Sequence, residues 1–349
     1  MASPIVRRLI APLLLGSLAL LALPVDGSVL QTSRRVSAPQ DDGAYKALMD
    51  AANSVVGIKV KALPNARSNE SLGAERTGSG IVISPQGLVL TIGYLILEAD
   101  TVEIVDSAEL TVPGAVLAYD HATGFGLVKP LAPLKTSPIR LGTARPVSQL
   151  DRLMIVTGGE EQTVSIATVV SKRQFAGYWE YLIDNAIFTS PPRFDHSGAA
   201  LINKDGELVG VGSLFVMDAI TPGERMPGNM FVPVDLIKPI LDEMVKTGGQ
   251  QGANRPWLGV NSREEDGRVK VVQVNEDSPA AQAGIEAGDI ILSVQGQPVT
   301  SLENFYTTLW NGGPAGTAVR LTVLHGVTPK EVTVKSIDRK DFMRKKQGV

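Results

Sequence analysis

The sequence predicts a mainly β protein of two folded domains, an all-β barrel or sandwich followed by a smaller α+β unit. The chain has 349 residues, and because domains usually hold about 100–200 residues, two domains are expected. Residues 55–234 form short runs of β-branched residues separated by turn residues. Residues 255–338 combine strand-like and helix-like segments behind a small, polar linker at 248–254. These observations set the domain boundaries at 44–247 and 255–338.

The composition narrows the classes of function. Hydrophobic residues make up 44% and charged residues 20% of the chain, as in soluble globular proteins. The formal net charge of -3 gives no electrostatic reason to expect nucleic-acid binding, which favours a basic surface. The chain has no cysteine, which excludes disulfides, thiolate catalysis and cysteine-bound zinc. Because there are only three histidines, we expect neither a metal site nor a cofactor.

The N-terminus predicts an exported protein. Arg7 and Arg8 precede the apolar run Leu9–Leu23, and small residues follow it. This is the pattern of a cleaved signal peptide over residues 1–27, which directs a chain to the periplasm or further out. The alternative is an uncleaved signal that anchors the chain in the inner membrane. Residues 28–43 are polar and predict a flexible tether.

The first domain begins with a helix and continues as strands. Apolar residues spaced three and four apart predict a helix over Tyr45–Asn53. Strand length and composition mark the segments GIVIS, LVLTIGYLIL, ATVVS, ALIN and ELVGVGS. Asp205-Gly206 separates the last two segments and predicts a hairpin turn, because glycine takes positive φ without steric cost. A helix over about Val234–Lys246 closes the domain before the Gly248-Gly249 break.

The second domain predicts a compact sheet capped by helices. Strands are expected at WLGV, VKVVQVN, DIILSVQGQPV, AVRLTVLHG and KEVTVKSI. Two helices are expected, a short one over Ser278–Gly284 and a longer one over Ser301–Trp310. Residues 339–349 form a basic tail.

The second domain resembles a PDZ domain of the HtrA type. The resemblance rests on RPWLGV, followed by VNEDSPAAQAGIEAGDIILSVQGQPV. It implies that the backbone N–H groups of Leu258, Gly259 and Val260 hold the C-terminal carboxylate of a peptide that adds to the sheet as a strand. Gly259 lets the backbone close around an anion, and an exposed sheet edge accepts such a strand. Arg255 is a candidate for adding positive charge near the carboxylate, with a solvated arginine as the alternative.

The long helix of the second domain supplies one wall of the implied peptide groove. Tyr306 and Trp310 form one stripe of this helix, and a second stripe is formed by Leu302, Phe305 and Leu309. One stripe must face the core while the other is free to face a peptide. The sequence does not decide between them.

The first domain resembles the trypsin-like double β-barrel of the HtrA proteases. TGSGIVISPQGLVLT resembles the entry hairpin, YDHATGFGLVK the next signature, FDHSGAALINKDGELVGVGS the nucleophile segment and GNMFVPVDLIKPILDEM the closing strand and helix. The segments follow in the expected order. The resemblance implies serine endopeptidase ancestry and assembly into trimers, with the helix at Tyr45–Asn53 as the expected place of contact.

The catalytic positions implied by this resemblance are largely replaced. Tyr94 stands where the family has the catalytic histidine, Gly124 stands where it has the acidic residue, and Ser197 keeps the nucleophile position. A serine hydroxyl needs a base to take its proton, whereas tyrosine, with an ordinary pKa of about 10, stays protonated at neutral pH. The oxyanion hole is also altered, because the family's glycine two residues before the serine is Asp195 here. A carboxylate beside an oxyanion opposes the transition state.

Two histidines are candidates for a substitute base. His196 adjoins Ser197, but side chains of neighbouring residues generally point apart in an extended or tightly turned segment. His121 lies near the acid position, next to Asp120. The alternative for both is a solvated loop histidine, and for Ser197 it is a small residue retained at a tight turn. Tyr94 is expected to fill the former active-site pocket with its ring buried and its hydroxyl hydrogen-bonded.

Three functions are consistent with this pattern. The first is a periplasmic, HtrA-like pseudoprotease that binds peptide or protein C-termini through its PDZ domain and acts as a scaffold or regulator, with an active relative as one implied partner. The second is a serine endopeptidase of protein quality control that uses Ser197 with a rewired base. The third is a chaperone-like holdase with an exposed apolar surface. The missing histidine and acid outweigh the shared barrel, so we predict the first.

Overall fold

A computed structural model describes residues 42–106, 108–159, 162–249 and 254–346 of the chain. Strands dominate these residues and form two barrels and a separate sheet, which confirms the predicted mainly β class. The expected signal peptide and most of the tether lie outside the described residues. Within the described part of the chain, no helix is long and apolar enough to cross a membrane.

The first barrel is a closed sheet of six strands. It begins after helix α1, Asp42–Ala52, and a short helix α2, Asn69–Leu72, follows its first strand. The strands are β1 Val55–Ala62, β2 Glu75–Val82, β3 Val89–Ile92, β4 Ala99–Val105, β5 Thr111–Tyr119 and β6 Phe125–Pro130. They pair in the order β1, β2, β3, β6, β5, β4, and β4 returns to β1 to close the barrel.

The second barrel uses the next seven strands. These are β7 Arg140–Leu141, β8 Arg152–Val156, β9 Val164–Gly177, β10 Tyr181–Ser190, β11 Ala200–Ile202, β12 Glu207–Val216 and β13 Gly228–Pro233. β11 pairs with both β8 and β12, so that six strands close on themselves, while β7 adds to β12 in parallel. The predicted hairpin turn joins β11 to β12, and Gly206 has a φ of +72° there. Helix α3, Leu241–Thr247, follows the barrel.

One apolar core spans the two barrels, and a second, smaller one lies within the second barrel. Buried β-branched and aromatic side chains run without a break from the first barrel, as at Ile81, into the second, as at Phe188. The loop before β11 is fastened to the first barrel, because the backbone N–H of Ser79 in β2 donates to the carbonyl oxygen of Ser197 at 2.8 Å. This contact places the candidate site between the barrels.

The last domain is a sheet with helices packed on it. Its strands are β14 Val260–Glu265, β15 Arg268–Val274, β16 Ile290–Val294, β17 Gln297–Pro298, β18 Ala318–His325 and β19 Thr328–Lys335. Its helices are α4 Pro279–Gln282, α5 Leu302–Asn311 and α6 Arg339–Phe342. β14 is an edge strand of the sheet. Ser301 caps α5, because its side chain accepts a hydrogen bond from the N–H of Asn304.

The predicted basic tail contains α6 and returns to the first barrel. The N–H of Arg344 donates to the Glu98 carboxylate at 2.7 Å, and Lys346 Nζ lies 2.9 Å from the Asp100 carboxylate. The C-terminal segment therefore ties the last domain to the first barrel.

The strand expected through LVLTIGYLIL is shorter than predicted. It ends at Ile92, and a 3-10 turn over Gly93–Leu95 follows. The ring of Tyr119 lies so close that a Cβ added at Gly93 would stand 2.0 Å from it, so only glycine fits. The turn positions Tyr94 directly after the strand.

Two further elements also differ in extent. The helix expected over Val234–Lys246 is split into a 3-10 turn, Val234–Leu236, and α3, because Pro239 between them has no N–H to donate. The strand expected at WLGV begins only at Val260, because Gly259 has a φ of +87°, outside the strand region.

Candidate active site and carboxylate-binding loop

The turn that carries Ser197 is tightly packed. Gly198 follows with a φ of +73°, and a Cβ there would lie 2.0 Å from the carbonyl oxygen of Ser79, so only glycine fits. Gly212 faces the same turn, and its added Cβ would lie 2.0 Å from the carbonyl oxygen of His196. The serine turn is therefore held between β2 and β12. Ser197 is half-buried and lines a cleft whose walls come from both barrels.

Tyr94 occupies the position from which a base would act on Ser197. Its Oη lies 2.7 Å from Ser197 Oγ and 2.8 Å from the carbonyl oxygen of Ser213. A carbonyl oxygen only accepts hydrogen bonds, so the hydroxyl of Tyr94 donates its single hydrogen to the carbonyl oxygen of Ser213. The hydroxyl of Ser197 can then donate a hydrogen bond to Tyr94 Oη. Burial raises the pKa of Tyr94 to about 12, against a smaller opposing effect of the hydrogen bond with Ser197. At neutral pH Tyr94 is therefore a neutral phenol, which does not remove the serine proton.

At Gly124 the space for an acidic side chain is already filled. Gly124 has a φ of +77°, and an added Cβ would stand 2.7 Å from Tyr181 Oη. Tyr181 is buried, and its hydroxyl donates to the carbonyl oxygen of Thr123 at 2.8 Å. A carboxylate at position 124 would therefore require Tyr181 to move. The packing of Tyr181 therefore leaves no room for an acidic side chain at this position.

Asp195 is paired with Arg193. Its Oδ1 lies 2.8 Å from Arg193 Nε, its Oδ2 contacts Arg193 Nη2, and Oδ2 lies 3.3 Å from Thr163 Oγ1. Partial burial raises the pKa of Asp195, but the hydrogen bonds and the charge of Arg193 outweigh this effect and hold the pKa below its ordinary value. The carboxylate is therefore ionised and compensated by a guanidinium. The sequence predicted a carboxylate beside the oxyanion position but not its pairing with Arg193.

The imidazole ring of His196 does not contact Ser197 through a hydrogen bond. Its Nδ1 lies 3.0 Å from the carbonyl oxygen of Arg193. Among the residues that the structure describes, Tyr94 is the only side chain hydrogen-bonded to Ser197 Oγ. The two adjacent residues therefore do not form a Ser–His pair.

His121 faces a cavity on the side of the last domain. Its ring packs edge-on against Tyr119, with ring centroids 4.3 Å apart, and it lines the cavity together with Arg339 and Lys340. Burial, with the two cations in addition, holds the pKa of His121 well below its ordinary value. Asp120 uses its carboxylate to accept hydrogen bonds from Thr123 at 2.6 and 2.8 Å. These two residues are not brought to Ser197.

In the last domain, both stripes of α5 are packed inside the protein. Leu302, Phe305 and Leu309 lie in the domain core. Tyr306 is buried in the same core and Trp310 packs against it, so the expectation that one stripe is free to face a peptide is wrong for Tyr306. The hydroxyl of Tyr306 reaches the β9–β10 hairpin, where it donates to the carbonyl oxygen of Gly177 at 2.7 Å and accepts from the N–H of Glu180 at 3.1 Å. Trp310 stacks on Tyr306 with ring centroids 5.4 Å apart, and the Arg255 guanidinium lies 4.2 Å above the Trp310 ring. The groove wall therefore contacts the second barrel.

The loop implied to hold a peptide carboxylate already holds one. Glu180 Oε1 accepts hydrogen bonds from the N–H groups of Leu258 at 3.2 Å, Gly259 at 2.7 Å and Val260 at 3.1 Å. Its Oε2 accepts a further one from Leu258 at 3.1 Å. Burial raises the pKa of Glu180 to about 7, while these N–H donors and Arg339 act in the opposite direction. The Glu180 side chain is only 7% exposed.

Glu180 is not among the residues predicted from the sequence. It stands in the short connection between β9 and β10, where the sequence is GYWE up to Glu180. The one available signal is the presence of two aromatic residues and a glutamate where a tight hairpin favours glycine or asparagine. That signal does not say what the glutamate contacts.

Comparisons with known proteins agree with both domains. The chain matches the family model of a trypsin-like peptidase domain over residues 78–211 and that of a PDZ domain over residues 256–336. It is 27% identical over 322 residues to the serine endoprotease DegS of Escherichia coli strain K12, a match that covers 85% of this chain and 87% of DegS. It is 25% identical over 292 residues to the serine protease HTRA1 of Xenopus tropicalis, covering 73% of this chain and 60% of HTRA1.

Solved structures show the same fold. The HtrA-type protease AlgW with a decapeptide matches with a TM-score of 0.53 and 18% identity, over 87% of this chain and 99% of AlgW. A serine endoprotease from Yersinia pestis matches with a TM-score of 0.52 and 22% identity, over 84% of this chain and 97% of that one. The predicted order of a trypsin-like domain followed by a PDZ domain is confirmed.

Proposed function

We propose that this chain, which belongs to the HtrA-type proteins that combine a trypsin-like peptidase domain with a PDZ domain, is a non-catalytic member that binds peptide or protein C-termini. The observation that carries the proposal is the 2.7 Å contact between Tyr94 Oη and Ser197 Oγ. A neutral phenol takes the place of the imidazole that would activate the serine. The binding loop of the PDZ domain, in contrast, keeps its three N–H donors.

The size of the catalytic loss supports this proposal. Removing the catalytic histidine of a well-studied serine protease lowers kcat about 2 × 10⁶-fold, which corresponds to roughly 8–9 kcal/mol of barrier. Here the acid is absent as well, and Tyr181 fills the adjoining space. A tyrosine whose pKa is about 12 cannot supply the missing base at neutral pH.

The binding role is the part of the family's machinery that this chain retains. We propose that it acts in the periplasm as a scaffold or regulator, with peptide or protein C-termini and an active relative as partners. Self-association into trimers is part of the same proposal and rests on the resemblance to the HtrA family.

The proposal is tested by labelling the full chain with a fluorophosphonate, beside its Ser197→Ala variant and DegS of Escherichia coli as an active control. We expect no labelling above the alanine variant and no cleavage of an unfolded fluorescent substrate protein, while DegS is labelled. Stoichiometric labelling that disappears in Ser197→Ala would overturn the proposal in favour of an endopeptidase with a rewired base. The binding role is tested separately with peptide pools that differ in their C-terminal residue.

A further inference from the structure

We infer that Glu180 is an internal ligand of the PDZ domain, so that an external C-terminus binds only by displacing the β9–β10 hairpin. The inference rests on the proposed function, because it concerns the regulation of the same peptide site. It assigns to a residue of the second barrel the place that a partner's terminal carboxylate would take.

The hydrogen bonds of the hairpin reproduce those of a bound peptide. The Glu180 carboxylate accepts from three successive N–H groups, at Leu258, Gly259 and Val260. Two residues earlier, the carbonyl oxygen of Tyr178 accepts from the N–H of Ser262 in the edge strand β14 at 2.7 Å. A carboxylate in the loop and a main-chain bond to the edge strand are the two elements of peptide capture by strand addition. The hairpin therefore satisfies the donors that a peptide needs.

The backbone conformation of Glu180 indicates that contacts with the PDZ domain, and not the turn alone, hold its side chain in the loop. Glu180 has a φ of +57°, a left-handed conformation that glycine or asparagine adopts with less strain. A turn in isolation would favour one of those residues. The contacts with Leu258, Gly259, Val260 and the Tyr306 hydroxyl offset this local cost, because they satisfy both the carboxylate and the N–H of Glu180.

The same hairpin connects the PDZ loop to the serine cleft. Tyr181 follows Glu180 directly, and its hydroxyl donates to Thr123 next to Gly124, at the position of the lost acid. A peptide that removes Glu180 from the loop therefore pulls on the residue that fills the acid position. Docking of the hairpin and packing of the barrel are linked through two adjacent side chains.

This arrangement defines the chemistry of the partner. A competitor must bring a free terminal carboxylate for the loop and an extended main chain for β14. Its apparent affinity is reduced by the fraction of molecules in which the loop is vacant. Removing the Glu180 carboxylate should therefore raise the apparent affinity for the peptide without changing the loop itself.

The experiment compares the full chain with Glu180→Ala and with Asp184→Ala as a matched control. Asp184 is an exposed acid of the same hairpin, and its carboxylate accepts a hydrogen bond from Gln174 and also acts on the charge of Arg255. Asp184→Ala therefore shows what the loss of a nearby negative charge does while the internal ligand stays in place. Fluorescent decapeptide pools, each with one fixed C-terminal residue, are titrated as free acids and as amides. We expect the free-acid pools to bind Glu180→Ala at least tenfold more tightly than the wild type or Asp184→Ala, and the amides to bind weakly to all three.

A second readout does not depend on any peptide. Hydrogen exchange of the segment 255–261 should be at least tenfold faster in Glu180→Ala, because the N–H groups of Leu258 and Gly259 lose their acceptor. Tyr306→Phe keeps the aromatic ring but removes the hydroxyl that binds the hairpin, so it should shift exchange and binding in the same direction by a smaller factor. This variant keeps the test informative if Glu180→Ala does not fold.

The outcomes separate the two proposals. Unchanged exchange and unchanged peptide affinity in both Glu180→Ala and Tyr306→Phe would overturn the internal ligand and leave the binding function intact. Faster exchange in the variants with no binding of any pool would support the internal ligand and overturn peptide binding as the function.

Discussion

The serine cleft and the PDZ carboxylate loop are each occupied by a side chain of the protein itself, but the two side chains affect their sites in different ways. At the cleft, Tyr94 lies 2.7 Å from Ser197 Oγ, where a base would have to stand to act on the serine. At the loop, the N–H donors of Leu258, Gly259 and Val260 are all present, and Glu180 makes use of them.

Under the two proposals, the cleft has lost an activity and the PDZ loop withholds one. Removing the Tyr94 side chain would expose Ser197 but would not create a base, and Tyr181 would still fill the space beside Gly124. Removing the Glu180 carboxylate would leave a complete binding loop. The proposed loss at the cleft is therefore one that no ligand reverses, whereas the proposed state of the PDZ loop is one that a competing carboxylate reverses.

The largest expected effect concerns the filled acid position. Gly124→Ala should destabilise the protein by about 2–4 kcal/mol, because the new Cβ is forced into a left-handed conformation and also meets Tyr181 Oη. The free energy of unfolding in urea measures this effect. The same contact would face the Cβ of an aspartate introduced to restore the acid.

Gly223→Ala is the matched control for that substitution. Gly223 lies in the same domain with a φ of +82°, and nothing lies within 4 Å of its added Cβ. Its substitution should carry only the backbone strain, about 1 kcal/mol. Equal losses for the two variants would show that Tyr181 does not close the acid position.

A smaller effect is expected from pH at the PDZ loop. The pKa of Glu180 is raised from its ordinary 4.5 to about 7 when it is buried in the loop. Between these two values the docked hairpin binds more protons than the released one, so acidification favours docking. The apparent affinity for a free-acid peptide should therefore fall severalfold from pH 8 to pH 6. The fall is smaller than the roughly tenfold that Glu180 alone would give, because burial in the same loop also raises the pKa of the bound peptide's carboxyl from its ordinary value of about 3.5.

Other charged groups near Glu180 must be considered in this experiment. The titratable and charged side chains around it are Asp120, His121, Arg255, Tyr306, Asp338, Arg339 and Lys340. The pKa of His121 is held well below its ordinary value, so His121 stays neutral over this range. Glu180→Gln removes the titrating group and should give a flat profile between pH 6 and pH 8. A slope that persists in Glu180→Gln would assign the effect to another group.

The fold can be predicted from the sequence because its signals are local. Strand patterns, turn residues and family motifs locate the barrels and the PDZ domain, and the same motifs align Tyr94, Gly124 and Ser197 with the catalytic positions. The distance between Tyr94 and Ser197 depends on packing between barrels, which a sequence does not contain. The split of the helix after β13 was readable in principle, because Pro239 lies inside it.

The contact between Glu180 and the PDZ loop is the clearest example of a feature that could not be predicted from the sequence. Glu180 and the PDZ loop are far apart in the chain. Glu180 lies in a hairpin and the loop contains a glycine, and neither local sequence indicates what it contacts. Only the docking of one domain on the other brings the carboxylate to the N–H groups. The orientation of His121 towards Arg339 and Lys340 depends on the same docking. The sequence alone therefore left His121 as a candidate base for Ser197.

The most direct test is fluorophosphonate labelling of Glu180→Ala, in which the PDZ loop is released while Tyr94 and Ser197 are retained. We expect this variant to gain peptide affinity but to be labelled no more than Glu180→Ala combined with Ser197→Ala. Labelling of Ser197 that appears only when Glu180 is removed would contradict the proposed loss of activity, because the chain would then be an active protease held inhibited by its own hairpin.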